Sequence, residues 1–274
     1  MIAIDVSRLN IVQSGPTQQY KRAVEGVADI TFGIAASTPT LFPKTMLAIL
    51  PGKAVNGPDS TRRMWTVFDK YMADEWSDVK VLAVGNPAGG MIIATKDVST
   101  IEGMKGAKIV PWAAITTPVL QGMGAVPVQL DPTEHYTALS TGTIDAAISS
   151  INNIMPPWNL DEVANYAIVN TPATFNPVFY VMNKERYESL SAKHQKIIDE
   201  ISGMPFSMQL VQAFHDADEV ALKWKDEKIA TGELNVEWIV TSDGERAKME
   251  AAAAAGMEAI YSDYENRGIK NAKK

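Results

Sequence analysis

The residues of this chain that could do chemistry are few. There are three histidines and no cysteine. His135, His194 and His215 stand far apart, and none has the H-E-x-x-H spacing that sets two imidazoles on one helix face around zinc. No metal site and no cofactor are expected. His135, between Glu134 and Tyr136, reads as a surface or helix-start histidine rather than a base. Asp216, Asp218, Glu219 and Asp226 read as the solvated face of a helix. A general acid–base pair needs two environments that push the pKa values apart, and this pattern supplies none. A cysteine nucleophile and a G-x-S-x-G elbow are both missing. The glycines of Gly85-Asn86-Pro87-Ala88-Gly89-Gly90 lack the G-x-G-x-x-G spacing of a phosphate cradle, so this stretch reads as a cleft-edge turn or a crossing between lobes. No catalytic residue is assigned, and the chain reads as a binding protein, not an enzyme. What remains are groups that recognise. Tryptophan faces stack flat rings and attract cations, and asparagine and serine offer donors and acceptors together.

Those groups must be positioned by regular elements. From Met104 to Ser149 the sequence alternates short apolar runs with helical stretches. A strand at Ala107–Pro111 precedes a helix ending at Gly122–Gly124. A strand at Pro127–Leu130 follows, then a helix start at Asp131–Pro132 and a helix through His135–Thr141. Gly142 breaks it, and a strand runs over Ile144–Ser149. This is β-α-β-α-β, the unit of an open parallel sheet, and such sheets bind ligands beyond the carboxyl ends of their strands. Further strands are expected over residues 2–12, Ala28–Ile34, Val79–Val84, Met91–Thr95, Tyr166–Asn170, Asn176–Met182 and Leu234–Val240. Helices are expected over Gln18–Gly26, with Val24 and Val27 facing in, and over Asp59–Glu75, capped by Asp59 or Ser60. More follow at Ser191–Ser202, Met208–Lys228 and Asp243–Asp263. Trp65, Phe68 and Met72 recur at helical spacing as a core stripe.

With 274 residues, 46% of them hydrophobic and 21% charged, the chain is long enough for one or two globular domains. A net charge of −7 argues against a nucleic-acid partner, which calls for a basic face. No apolar run is long enough to span a bilayer.

The order of three motifs resembles the solute-binding proteins of tripartite ATP-independent periplasmic (TRAP) transporters. The chain carries Met104-Lys105-Gly106-Ala107-Lys108-Ile109, then Gly124-Ala125-Val126-Pro127-Val128. It then carries Glu134-His135-Tyr136-Thr137-Ala138-Leu139-Ser140-Thr141-Gly142-Thr143-Ile144-Asp145. The family counterparts are Leu-Lys-Gly-x-Lys-Ile-Arg, Gly-Ala-x-Pro-Val and Glu-x-Tyr-x-Ala-Leu-x-x-Gly-x-x-Asp. The resemblance implies a two-lobe, venus-flytrap α/β fold, each lobe a mixed, mostly parallel sheet flanked by helices. It places lobe I at 1–90 plus 174–207, and lobe II with the C-terminal helices at 91–173 plus 208–274. It implies capture of a small organic solute in the cleft, delivery to TRAP permease membrane subunits, a periplasmic location and a monomer or homodimer. Met1 opens directly on Ile2-Ala3-Ile4-Asp5, with no export signal. Against the family layout the chain starts about 40 residues late, so the first strand and helix of lobe I are expected to be missing.

One family residue has gone. The arginine after Lys-Ile, which pairs with the solute carboxylate in the family, is replaced by the run Val110-Pro111-Trp112. Trp112 and Trp158 then suggest an aromatic wall, and the expected ligand set is Trp112, Asn152, Asn153, Ser149, Asn86, Asn176, Trp158 and Asp145. The expected solute is a small amine or neutral polar compound. The alternatives are a carboxylate held by backbone amides with Ser149, Ser150, Asn152 or Asn176, and a ligand-binding sensor without transport.

Overall fold

The computed structural model describes residues 15–51, 56–87, 90–172, 176–269 and 272–273. The strand expected over residues 2–12 lies outside them, as do Ala88 and Gly89. Strands are β1 (Ile30–Ile34), β2 (Val79–Gly85), β3 (Met91–Ala94), β4 (Lys108–Val110), β5 (Val126–Pro127), β6 (Ala146–Ser149), β7 (Tyr166–Val169), β8 (Val178–Asn183) and β9 (Glu237–Val240). Helices are α1 (Gln19–Val24), α2 (Pro43–Leu47), α3 (Gly57–Tyr71), α4 (Ile101–Met104), α5 (Thr117–Gly122), α6 (His135–Ser140), α7 (Lys184–Glu188), α8 (Ala192–Ile201), α9 (Met204–Thr231) and α10 (Asp243–Asn266).

Two sheets form, one per lobe. The larger has the order β5-β4-β6-β3-β7-β9 and the smaller β1-β8-β2. In the larger sheet β4 runs parallel to β5 and β6, and β7 parallel to β9, while β3 is antiparallel to both its neighbours. The expected β-α-β-α-β unit is therefore present as β4-α5-β5-α6-β6. In the smaller sheet β8 is antiparallel to both β1 and β2.

Both faces of the larger sheet are covered, which is why its strands read as unbroken apolar runs such as Met91-Ile92-Ile93-Ala94. Successive side chains point to opposite faces. Ile92, Ala94, Ile109, Ala146, Ile148 and Ile168 enter one core with α5 and α10. Met91, Ile93, Val110, Ala147 and Ala167 enter a second with α6 and the later part of α9. The α5–α10 contact depends on glycine. A Cβ on Gly256 would lie 2.9 Å from the Val119 nitrogen, and one on Gly122 would lie 2.6 Å from the Ala252 carbonyl oxygen. The alanine run Ala251–Ala255 thus suits close backbone approach as well as helix propensity.

The smaller sheet packs on α1 and α3 through Tyr20, Ala23, Met64, Phe68, Trp76, Phe179 and Val181. Phe68 and Met72 of the expected stripe are buried there, with Trp65 packed alongside. Two local expectations need correction. On α1 the buried face is Tyr20 and Ala23, and Val24 and Val27 point outward. Tyr20 and Ala23 share the i, i+3 face, and the helix has ended by Gly26, whose φ is +68°. The cap of α3 is Asn56, whose Oδ1 accepts the Asp59 N–H at 2.8 Å, while the Asp59 carboxylate pairs with Arg63.

Helix α9 has 28 residues, about 42 Å of rise, and serves both lobes. Its Leu210 packs with Ala83 and Val178 of the smaller sheet, and Ala221 and Trp224 join the second core of the larger one.

Candidate ligand-binding cleft between the two sheets

Strand register defines one edge on each sheet. In the smaller sheet Ile34 and Gly85 both pair with Val178, so β1 and β2 end where β8 begins. In the larger sheet Met91 pairs with Ser149 and Val110 with Ala147, so β4 and β6 end where β3 begins. Among the described strands the chain passes from one sheet to the other three times, after β2, after β7 and, through α7, α8 and α9, after β8; the first two passages connect these two edges. The carboxyl ends of β1, β2, β4 and β6 therefore look onto a shared cleft, where an open α/β sheet binds its ligand.

On the larger-sheet side Trp112 follows β4. Its ring lies over Gly90, where a Cβ would come 2.6 Å from Trp112 Cε3 and 3.0 Å from the Ser149 carbonyl oxygen. Only glycine leaves room for the ring there. Trp112 packs on the larger sheet's core, whereas the next residue, Ala113, is buried in the smaller sheet's core. This segment therefore stitches the lobes together beside the cleft. After β6 the chain makes a 3-10 turn over Ile151–Ile154. Asn153 Nδ2 donates to Ser149 Oγ at 2.9 Å, and Asn152 Oδ1 is buried without a partner.

Across the cleft, Asn86 directly follows β2 and is fully buried. Its amide N–H donates to Thr61 Oγ1 at 2.9 Å and its Nδ2 to Ser60 Oγ at 2.7 Å, both on α3. Asn176 precedes β8. Among the described residues the side-chain oxygens of Asn86 and Asn176 are buried without a hydrogen-bond partner, as is Thr171 Oγ1 on the second passage. A buried amide oxygen without a donor costs free energy, so each of these calls for a partner. By strand register Asn86 and Asn176 lie at the edge of the smaller sheet, and Trp112, Ser149, Asn152 and Asn153 at the edge of the larger one.

Two expected residues stand apart. Asp145 lies at the opposite end of β6, before Ala146. Its carboxylate accepts the Lys108 N–H at 2.9 Å and pairs with Lys96 at 2.7 Å. Burial works to raise its pKa, and the Lys108 amide and the Lys96 ammonium outweigh that and hold it below the usual carboxylate range. This is a strand-tethering role. Trp158, in the loop beyond the 3-10 turn, is 40% exposed, and no contact joins it to Trp112 among the described residues. Val110, which follows Lys108-Ile109 where the family pattern has an arginine, is buried in the second core.

The titratable groups also differ from expectation. His135 does begin α6, but it is buried rather than at the surface. Burial depresses its pKa, against the opposing pull of Asp131 and Glu134. Asp218 is not on a solvated face. It is half-buried on α9, which packs against the Ile151–Ile154 turn. Burial pushes its carboxyl up to about 6, with the Asn152 amide and His215 acting against the rise. Gly90 and Asp218 were both missed by sequence reasoning. A glycine just before a strand is a weak sign of close approach, and nothing in the Asp216–Glu219 run separates Asp218 from its neighbours.

Comparison with known proteins adds the following. The DctP family model, bacterial extracellular solute-binding protein, family 7, matches residues 53–264. A TRAP solute-binding protein from an unidentified marine microbe, specific for aromatic acid ligands and solved with metahydroxyphenylacetate, superposes with a TM-score of 0.83. It is 28% identical, over 96% of this chain and 83% of that one. A TRAP solute-binding protein from Rhodoferax ferrireducens T118, solved with copurified benzoate, gives a TM-score of 0.82 at 26% identity, over 94% of this chain and 79% of that one. The outer membrane transporter protein TsaT of Comamonas testosteroni is 24% identical over 277 residues, covering 98% of this chain and 78% of that protein.

Proposed function

The chain belongs to family 7 of the bacterial extracellular solute-binding proteins, as a receptor of the TRAP type, and we propose that its solute is a small aromatic carboxylate. The observation that carries this reading is the Trp112 ring, whose Cε3 edge is seated against Gly90 beside the Ser149 carbonyl at the end of the larger sheet. A flat apolar wall suits an aryl ring, and such a pair contributes about 0.5–1.5 kcal/mol beyond the area it buries. The remaining Nδ2 hydrogens of the asparagines and the backbone N–H groups at the strand ends supply the donors for the carboxylate, in place of a guanidinium fork, while the unpartnered Oδ1 atoms of Asn86, Asn152 and Asn176 are acceptors and suit a ring hydroxyl on the solute. Two relatives above 25% identity were solved with aromatic acids, which supports the same class. The amine expectation rests on the missing arginine and the tryptophans, and neither of these relatives supports it.

In this reading the solute bridges the two edges and stabilises the closed form through its higher affinity for it. Closure excludes water and strengthens each polar contact. The lobes divide at 1–90 plus 174–207 and 91–173 plus 208–274. The receptor works in the periplasm and hands its solute to TRAP permease subunits. Titration calorimetry with benzoate, 3-hydroxybenzoate, succinate and ethanolamine tests the solute class. The expected result is saturable binding of the aryl acids at about micromolar Kd or tighter, roughly −8 kcal/mol, with no heat from the other two. Binding of succinate or ethanolamine alone refutes it.

A further inference from the structure

We propose that the receptor selects aryl carboxylates that carry a ring hydroxyl: Asn86 Oδ1 accepts that hydroxyl, and Ser60 of α3 is the positioning residue that leaves the oxygen free to do so. This rests on the reading of the facing sheet edges as the ligand site.

Asn86 follows β2 at the edge of the smaller sheet and is fully buried, as are Ser60 and Thr61 of α3 behind it. Its N–H donates to Thr61 Oγ1 at 2.9 Å, and its carbonyl oxygen accepts the Thr61 hydroxyl at 3.4 Å. Its carboxamide meets Ser60 Oγ at 2.7 Å, and Ser60 Oγ donates to the Ala48 carbonyl oxygen at 3.4 Å. A serine hydroxyl has one hydrogen, so with that hydrogen on Ala48 it accepts from the carboxamide. The end of Asn86 that meets Ser60 is therefore Nδ2, and Oδ1 is turned away from it. That oxygen is buried without a hydrogen-bond partner among the described residues. The strand leading to it is held on both sides. Val84 N–H donates to Ser207 Oγ at 3.0 Å, and the Val84 carbonyl oxygen accepts Trp65 Nε1–H at 2.9 Å. A Cβ on Gly85 would come 2.8 Å from Val211 Cγ2, so the backbone there has no slack.

An oxygen fixed in this way accepts and cannot donate. The solute's carboxylate has acceptors only and cannot satisfy it, whereas a ring hydroxyl supplies the missing donor. A solute without the hydroxyl leaves a buried acceptor unpaired, which is how a site built around a hydroxyl rejects the analogue that lacks it. Because the carboxamide is already oriented, the bond to the hydroxyl costs little further ordering. Asn152 and Asn176 also leave an oxygen unpartnered, but no side-chain hydrogen bond among the described residues fixes either carboxamide. Ser60 does not touch the solute in this account. It acts through Asn86.

Titration calorimetry with 3- and 4-hydroxybenzoate and the matching methylbenzoates decides the matter, since a methyl group fills a similar space and donates nothing. In the wild type one hydroxy isomer is expected to bind about ten- to a hundred-fold more tightly than its methyl counterpart. S60A keeps the helix propensity of α3 and frees the carboxamide to turn. It is expected to cut that preference to about three-fold or less, with methylbenzoate affinity changed by less than about two-fold. N86A, which removes the acceptor, is expected to abolish the preference. A merely structural role for either residue would lower both affinities together and leave their ratio unchanged. Equal affinities for hydroxy and methyl compounds in the wild type, or a preference that survives S60A or N86A, overturns the proposal, and the first of these results needs no variant. Failure of the wild type to bind any of the four acids is a different result: it refutes the aryl-acid reading, and this selectivity with it.

Discussion

Replacing Gly90 with alanine is the sharpest structural perturbation of the cleft, because it adds one methyl group and moves one ring. The new carbon would sit 2.6 Å from Trp112 Cε3 and 3.0 Å from the Ser149 carbonyl oxygen. Carbon atoms rest at about 3.5–4.0 Å, so the indole must retreat by about 1 Å or more. The Ser149 carbonyl belongs to β6 and is fixed by its ladder with β3, so the ring yields rather than the strand. Overpacking of this kind costs about 1–3 kcal/mol. If the displaced ring is the wall against which the solute stacks, the same displacement weakens binding by about five- to fifty-fold, corresponding to about 1–2.3 kcal/mol of lost stacking and burial. The assay is titration calorimetry of 3-hydroxybenzoate on wild type, G90A, W112A and the double variant, with urea unfolding to separate stability from affinity. Once Trp112 is gone, the extra methyl has nothing to displace. The two effects should therefore overlap strongly, giving a coupling energy of about 1 kcal/mol or more. Additive effects, or unchanged affinity in G90A, would show that the indole forms no part of the binding surface.

Other consequences follow from the packing and the buried charges. Gly256→Ala drives a methyl group into the backbone of Pro118 and Val119, so urea unfolding should show a loss of about 2–4 kcal/mol, with solute affinity retained in the folded fraction. Equal stability would mean that α5 and α10 sit further apart than described. Glu75 accepts the Thr45 N–H at 3.0 Å and the Thr45 Oγ1–H at 2.9 Å, and also the Lys44 N–H, closing the start of α2 from a distant turn. Glu75→Ala should lower unfolding free energy by about 1–3 kcal/mol, and Glu75→Gln should recover part of it. An alanine variant as stable as wild type would remove that cap from the account. His135 has its pKa lowered by burial, so its neutral form is the folded form. The stability it contributes is complete above its unfolded pKa of about 6.5 and is lost as pH falls below that value. The drop in unfolding free energy from pH 7 to 5 should therefore be smaller in H135Q than in wild type, and parallel curves would contradict the assignment.

Much of the larger sheet could be read from residue order, because its punctuation is local. Gly122, Gly124 and Gly142 end helices, and the apolar runs between them are strands whose two faces are both covered. What could not be read was the insertion of antiparallel β3 between β6 and β7, since pairing across fifty or more residues leaves no periodic mark. The face of α1 was misjudged because Val24 and Val27 look apolar in sequence, while the sheet meets Tyr20 and Ala23. In the cleft, Trp112 and the asparagines can be proposed from residue order because they follow strand ends. Asp145 was drawn in by motif likeness, although it sits at the other end of the same strand. Asp218 was hidden because burial of one carboxylate among several depends on a turn some sixty residues earlier.

A crystal structure grown with 3-hydroxybenzoate tests the central claim most directly. The account predicts the aryl ring against Trp112, between the ends of β4 and β6 on one side and Asn86 and Asn176 on the other. A ligand lodged elsewhere, for instance in the 310 Å³ groove lined by Pro39, Ile115, Ile260 and Tyr264, with the facing edges holding none, would contradict it.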